Sequence, residues 1–171
     1  MVLSQGQRIL HRYVVGDLLG EGAMGQVFKG THEQLDMPVA IKVLAIANNT
    51  ELSGRFVREA RLMAKVRHPN VVSILDFGQL PDGSPCIVME FLEGEPMDEI
   101  LGRRGALPWR EAVAILTGVL AGLDALHQQK ILHRDLKPSN IVIVSDRTMT
   151  PKLIDFGIAR QSEGEDARFT K

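Results

Sequence analysis

An intrachain disulfide is closed to this chain, because its 171 residues include one cysteine, Cys86. The same scarcity removes multi-cysteine metal sites and suits a reducing cytosol. Excess charge is missing as well: 20 Lys+Arg against 21 Asp+Glu leave a net charge of −1. No bulk field draws such a chain to nucleic acid or an anionic membrane, so binding must come from local sites. Long apolar runs are absent too; the longest, 113–123, is interrupted by Thr117 and followed by Asp124, too short to span a bilayer. The first residues lack a basic region leading into an apolar stretch, so no signal peptide is expected. What is present, 44% hydrophobic and 24% charged residues, is the composition of a globular protein. The expectation is a cytoplasmic protein with no nucleic-acid partner and no membrane segment.

Residues 1–12 read as a polar leader. Short β-branched and apolar runs follow at 13–20, 26–31 and 38–44, separated by glycines or by polar stretches carrying a proline, as antiparallel strands are. From 51 to 66 the period becomes helical, with Phe56, Ala60, Met63 and Ala64 on one face, Asn49 or Thr50 able to cap the start and Pro69 marking the end. Two further strands are expected at 71–77 and 86–91 around the turn text Pro81-Asp-Gly-Ser. Gly94-Glu-Pro reads as a linker. Past it come a short helix near 97–103 and a long one from Pro108 to about Gln129, apolar on most sides and therefore expecting neighbours on most sides. Short strands are expected at 141–144 and 152–154.

Gly20-Glu-Gly22-Ala-Met-Gly25-Gln-Val27 places three glycines where backbone N–H groups could approach phosphate oxygens; a purely structural hairpin explains the same text equally well. Lys42 lies inside the apolar run Val39-Ala-Ile-Lys. Burying an ammonium there is expensive unless an anion meets it. Nucleotide phosphates or a helical carboxylate such as Glu59 would serve, and a strand-edge lysine reaching to water is the bland alternative. The segment His133-Arg134-Asp135-Leu-Lys137-Pro-Ser-Asn140 is more specific. Phosphoryl transfer needs a carboxylate to orient and receive a hydroxyl proton, a cation near the moving phosphate, and oxygen ligands for Mg²⁺. Asp135, Lys137 and Asn140 have that chemistry, and Asp155 in Asp155-Phe-Gly offers a second oxygen ligand. Cys86 reads as a small buried hydrophobe, and His68 as a local turn hydrogen-bonder.

Taken in order, the glycine-rich loop, Val-Ala-Ile-Lys, Glu59, His68-Pro-Asn, His-Arg-Asp with Asn140, and Asp-Phe-Gly resemble the eukaryotic-type protein kinase superfamily, from about Tyr13 to the last residue. Lys137-Pro-Ser resembles the serine/threonine branch, and the whole is similar to bacterial members. The resemblance implies an α+β fold: a β-rich N-lobe over 13–94, with a five-stranded antiparallel sheet and one helix, ending in a hinge, then a partial α-rich C-lobe over 95–171. It implies ATP and Mg²⁺ as cofactors and a protein substrate. Gly20, Glu21, Gly22, Ala23, Met24 and Gly25 would cover the phosphates. Val27 and Ala40 would sandwich adenine, with Val142 below. Lys42 would hold the α- and β-phosphates and pair with Glu59. Met89 would gate the back pocket, and Glu90 to Leu92 would offer backbone groups to adenine. Asp135 would be the catalytic base, Lys137 would stabilise developing charge, and Asn140 and Asp155 would bind Mg²⁺. Met63, Ile74, His133 and Phe156 would stack as an apolar column between lobes. Arg134 would pair with a phosphate placed on the following loop, for which Ser162 and Thr170 are candidates.

Members of that family continue past Asp-Phe-Gly into an Ala-Pro-Glu motif and several helices, whereas this text stops at Lys171. The expectation is therefore the N-terminal part of a kinase domain; the alternative is a naturally truncated, non-catalytic nucleotide-binding or interaction module.

Overall fold

The computed structural model describes residues 3–22, 25–44, 60–146 and 148–155. Six antiparallel strands form one sheet: β1 (Arg8–Ile9), β2 (Tyr13–Gly22), β3 (Gly25–His32), β4 (Met37–Leu44), β5 (Ile74–Gln79) and β6 (Pro85–Glu90), in the order β1-β2-β3-β4-β6-β5. A second, three-stranded sheet is made by β7 (Gly94–Pro96), β8 (Ile141–Val144) and β9 (Pro151–Leu153). Helix α1 (Met97–Arg104) follows β7, and α2 (Trp109–Gln128) follows α1.

Strand β4 is central, and from Val39 to Leu44 it is buried on both faces. Its alternate residues serve two different cores. Val39, Ile41 and Val43 join Val15, Phe28, Cys86 and Val88 in an outer cluster. The opposite face is set by register: Val27 stands across from Lys42, Lys42 from Ile87, and Ala40 from Met89, so these five side chains share one surface. Beneath it a larger cluster joins Leu44, Ile74 and Ile87 to Ile115, Val119 and Leu126 of α2 and to Ile141, Ile143 and Leu153 of the small sheet.

Two expectations need correction. The polar leader read over 1–12 is built into the large sheet: Leu3 and Ile9 are buried in the outer cluster. β1 pairs with β2 as a sixth strand. Gly6 N–H also donates to Val15 O at 2.8 Å, and Val15 N–H to Gln7 O at 2.9 Å. The polar average of the segment hid the apolar residues Leu3, Ile9 and Leu10. Likewise Gly94-Glu-Pro is strand β7, paired to β8 with Gly94 opposite Val144. The proline survives because it lies on an edge strand, and the glycine is required because a Cβ there would fall 2.4 Å from Ile143 O.

Helix α2 is apolar nearly all round, as read, but only one side is covered by described residues. Ile115, Val119, Gly122 and Leu126 are buried, while Trp109, Val113, Leu116 and Leu120 are exposed. Its packed side holds Asn70. The Asn70 amide donates to Pro151 O at 2.8 Å, and Asn70 O accepts Leu153 N–H at 2.9 Å. Gly122 makes the room, since a Cβ there would lie 2.8 Å from Asn70 O. As expected, His68 Nδ1 accepts a turn hydrogen bond, from Asn70 N–H at 3.2 Å.

Leu153, wholly buried between α2 and the sheets, is expected to cost about 2–5 kcal/mol when cut to alanine. Leu35→Ala, at an exposed turn, should cost about 0.5 kcal/mol or less. Urea unfolding midpoints of the two variants check the contrast.

Candidate functional site

The face carrying Val27, Ala40, Lys42 and Met89 opens toward the segment after β9. Lys42, 8% exposed, is as buried as its apolar run demands, and its ammonium is ion-paired with the Asp155 carboxylate. Asp155 holds a positive φ of 56° immediately past β9, a conformation aspartate tolerates better than most residues. Glu59, Ala23 and Met24 lie outside the described residues, as do Phe156, Ser162 and Thr170.

Opposite stands the 133–140 segment. His133 is buried, and its Nε2 lies 3.0 Å from Ile154 O. A carbonyl only accepts, so Nε2 carries the proton. A 3-10 helix, Pro138–Asn140, turns Asn140 inward. The Asn140 amide donates to Asp135 O at 2.8 Å and to Asp135 Oδ2 at 3.1 Å, while Asn140 O accepts Ile154 N–H at 2.9 Å. Lys137 Nζ is 3.0 Å from Asp135 Oδ2. The bonds made by the Ile154 N–H and carbonyl thus tie the residue before Asp155 to the segment that carries Asp135, Lys137 and Asn140.

The remaining expected residues fall around this centre. Gly20, Glu21 and Gly22 are exposed on the β2 end of the β2–β3 hairpin, facing Val27, Gln26 and Gly25 across it. Gly25 has a φ of 129°, and a Cβ there would meet Val43 O at 1.9 Å, so no other residue fits. Val142 is buried on β8, Met89 and Leu92 pack on the larger core, and Ala40 lies in the roof. Glu90 also makes contacts of its own. Its N–H is engaged by Ser73 O at 3.0 Å, and its carboxylate is engaged by Ser73 N–H and Lys152 Nζ, each at 2.8 Å. Sequence reading missed Lys152 because one lysine in a short strand gives no pattern. It also missed the Lys29 ammonium 4.7 Å above the Phe91 ring, beside the β6–β7 connection. Cys86 is wholly buried, and burial pushes its thiol up to about 11, as an inert core residue.

The family model described as protein kinase domain matches residues 13–170. Serine/threonine-protein kinase pkn3 of Myxococcus xanthus is 39% identical over 165 residues, covering 94% of this chain and 30% of the relative. PrkC of Bacillus subtilis is 40% identical over 156 residues, covering 90% and 24%. The crystal structure of the Mycobacterium tuberculosis PknI kinase domain superposes with a TM-score of 0.80 at 36% identity, covering 94% of this chain and 65% of that one. The chain therefore spans less than a third of the length of these curated relatives. It belongs to the protein kinase domain family and has that family's α+β fold. Both of these relatives are bacterial serine/threonine-protein kinases. Among the described residues no helix is long and apolar enough to cross a membrane.

Burial holds the His133 imidazole below its ordinary value of 6.5, outweighing the opposing pull of Ile154 O, Asp135 and Asp155. The unfolded ring takes a proton near 6.5 while the folded ring stays neutral, so the stability it contributes is complete above that pH and lost as pH falls below it. An NMR titration is expected to place the folded midpoint below 6.5; a midpoint at or above it contradicts the assignment.

Proposed function

We propose that this chain carries the nucleotide-binding and phosphoryl-transfer residues of a protein serine/threonine kinase, which moves the γ-phosphoryl group of Mg-ATP to a protein hydroxyl. One observation carries the reading: Asp135, Lys137 and Asn140 converge within 3.1 Å, beside a Lys42–Asp155 pair that closes the roof against them.

The roles follow from the atoms. Asp135 orients the attacking hydroxyl and accepts its proton as the new oxygen–phosphorus bond forms and the bond to the β-phosphate oxygen breaks, releasing ADP. Lys137, bound to the same carboxylate, neutralises charge on the moving group. Lys42 supplies donors to the nucleotide phosphates, exchanging the Asp155 carboxylate for them. The Asn140 amide nitrogen is already committed to Asp135, which leaves its Oδ1, with Asp155, as the oxygen pair for Mg²⁺. That donor set fits a hard cation that takes one or two protein oxygens and completes its shell with phosphates and water. Bound there with the nucleotide, Mg²⁺ supplies charge screening at the phosphate oxygens. Val27, Ala40 and Val142 form apolar walls for adenine, and Met89 stands behind them. Lys137-Pro-Ser after Asp135 supports serine and threonine as the acceptors.

At nucleotide about 100-fold above its Kd, Mg-ATP is expected to stabilise the chain by about 2.7 kcal/mol, read as a rise in Tm. Lys42→Met removes that rise; an undiminished shift in the variant rejects the phosphate role. Asp155→Asn is expected to bind nucleotide with an affinity indifferent to Mg²⁺, by titration with and without the metal.

A further inference from the structure

A row of side chains crosses the surface that holds Val27 and Lys42. Lys29 of β3 stands opposite Ala40 of β4, and Ala40 opposite Met89 of β6. Met89 packs on the larger core at one end of the row, and Lys29 is exposed at the other. The β2–β3 ladder is irregular at this place. Val15 pairs with Gly30 and Leu18 with Phe28, so Gly16 and Asp17 together face Lys29 alone. An extra residue of this kind bends a strand and re-aims the side chains around it. A Cβ at Gly16 would come 2.9 Å from Lys29 O, so only glycine lets β2 lie this close. From here the Lys29 ammonium reaches over the Phe91 ring, 4.7 Å from its centroid.

That ring belongs to a segment with little else to hold it. The β4–β6 ladder ends where Val39 faces Glu90, and among the described residues neither Phe91 nor Leu92 makes a backbone hydrogen bond. Such bonds resume at Glu93, whose carbonyl accepts Ser145 N–H at 2.8 Å. Side chains do the holding between: Leu92 packs on the larger core, and Phe91 lies under Lys29. A segment that keeps its N–H and C=O groups for a base has to be fixed by something other than a ladder. We infer that Lys29 is a positioning residue for the adenine edge: its ammonium holds the Phe91 ring and so fixes the Phe91 and Leu92 peptide groups where the base is read. The inference rests on the proposed function. Lys29 acts through the ring, and the phosphates are left to Lys42. ATP and GTP carry the same phosphates and differ at the base edge, so a fixed edge sets the preference between them, whereas a cation drawing phosphates would favour both equally.

Equilibrium titrations of the chain with Mg-ATP and with Mg-GTP test this. Lys29→Met keeps an apolar stem and removes the charge. It is expected to weaken Mg-ATP binding about two- to fivefold, the equivalent of one exposed cation–ring contact, and to leave Mg-GTP binding unchanged. Lys29→Arg, whose guanidinium also stacks on a ring, is expected to keep the wild-type preference. Once Phe91→Leu has removed the ring, adding Lys29→Met is expected to cost nothing further. Equal losses for the two nucleotides assign Lys29 to the phosphates and overturn the inference. So do an undiminished Mg-ATP affinity in Lys29→Met, a Lys29→Arg variant as weak as Lys29→Met, a full loss from Lys29→Met in the Phe91→Leu background, and a wild-type chain that binds both nucleotides alike. A wild-type chain that binds neither nucleotide rejects the nucleotide reading itself, and this inference with it.

Discussion

An ammonium group in the middle of a buried strand needs an anion, and much of this molecule is arranged to bring one to Lys42. Strand β4 is covered on both faces, and Lys42 has Val27 and Ile87 as its cross-strand neighbours. Neither offers charge. Asp155 does, from the far sheet, and it is brought there by a short strand that could not stand alone. β9 has three residues and one ladder partner, β8. Its position is secured from the other side by the parallel bridge of Val71 to Leu153, by Asn70, and by the wholly buried Leu153 side chain.

The same strand serves the opposite wall. Ile154 gives its N–H to Asn140 O and its carbonyl to His133 Nε2, so the residue before Asp155 is held by the segment that carries Asp135 and Lys137. A shift of β9 would displace both walls together. Gly118 and Gly122 on α2 belong to this chain of support, since a Cβ at either would come within 3 Å of Asn70. The catalytic geometry proposed here is therefore fixed from behind, by a buried asparagine and two helical glycines, as much as by its own residues.

The parts legible in sequence were those with local logic. Alternating runs announced the strands, and ordered motifs announced the site, because Asp135, Lys137 and Asn140 lie within one turn of chain. What escaped notice depends on distant partners. Leu3 and Ile9 look like isolated apolar residues in polar text until the outer face of the large sheet receives them. Gly94-Glu-Pro carries the residues of a turn, yet β8 turns it into an edge strand. Lys152 and Glu90 are 62 positions apart, and no periodicity links them. Lys42 was legible as a buried cation in need of an anion, but the choice between carboxylates was not: the described partner is Asp155, with Glu59 outside the described residues.

The exposure of the charged pairs fits the division of labour proposed for them. In the Lys42–Asp155 pair the cation is the more buried partner, 11% against 31%. In the Asp135–Lys137 pair the order reverses, with the carboxylate 11% exposed and the cation 50%. One pair therefore shows the cleft a carboxylate, ready for a cation, and the other shows it an ammonium, ready for a phosphoryl group. Before nucleotide enters, each hidden partner holds the displayed charge in place. A metal-bound phosphate group lying between them would meet negative charge where its metal is and positive charge where its transferable oxygens are, which is the complementarity that favours transfer over mere binding.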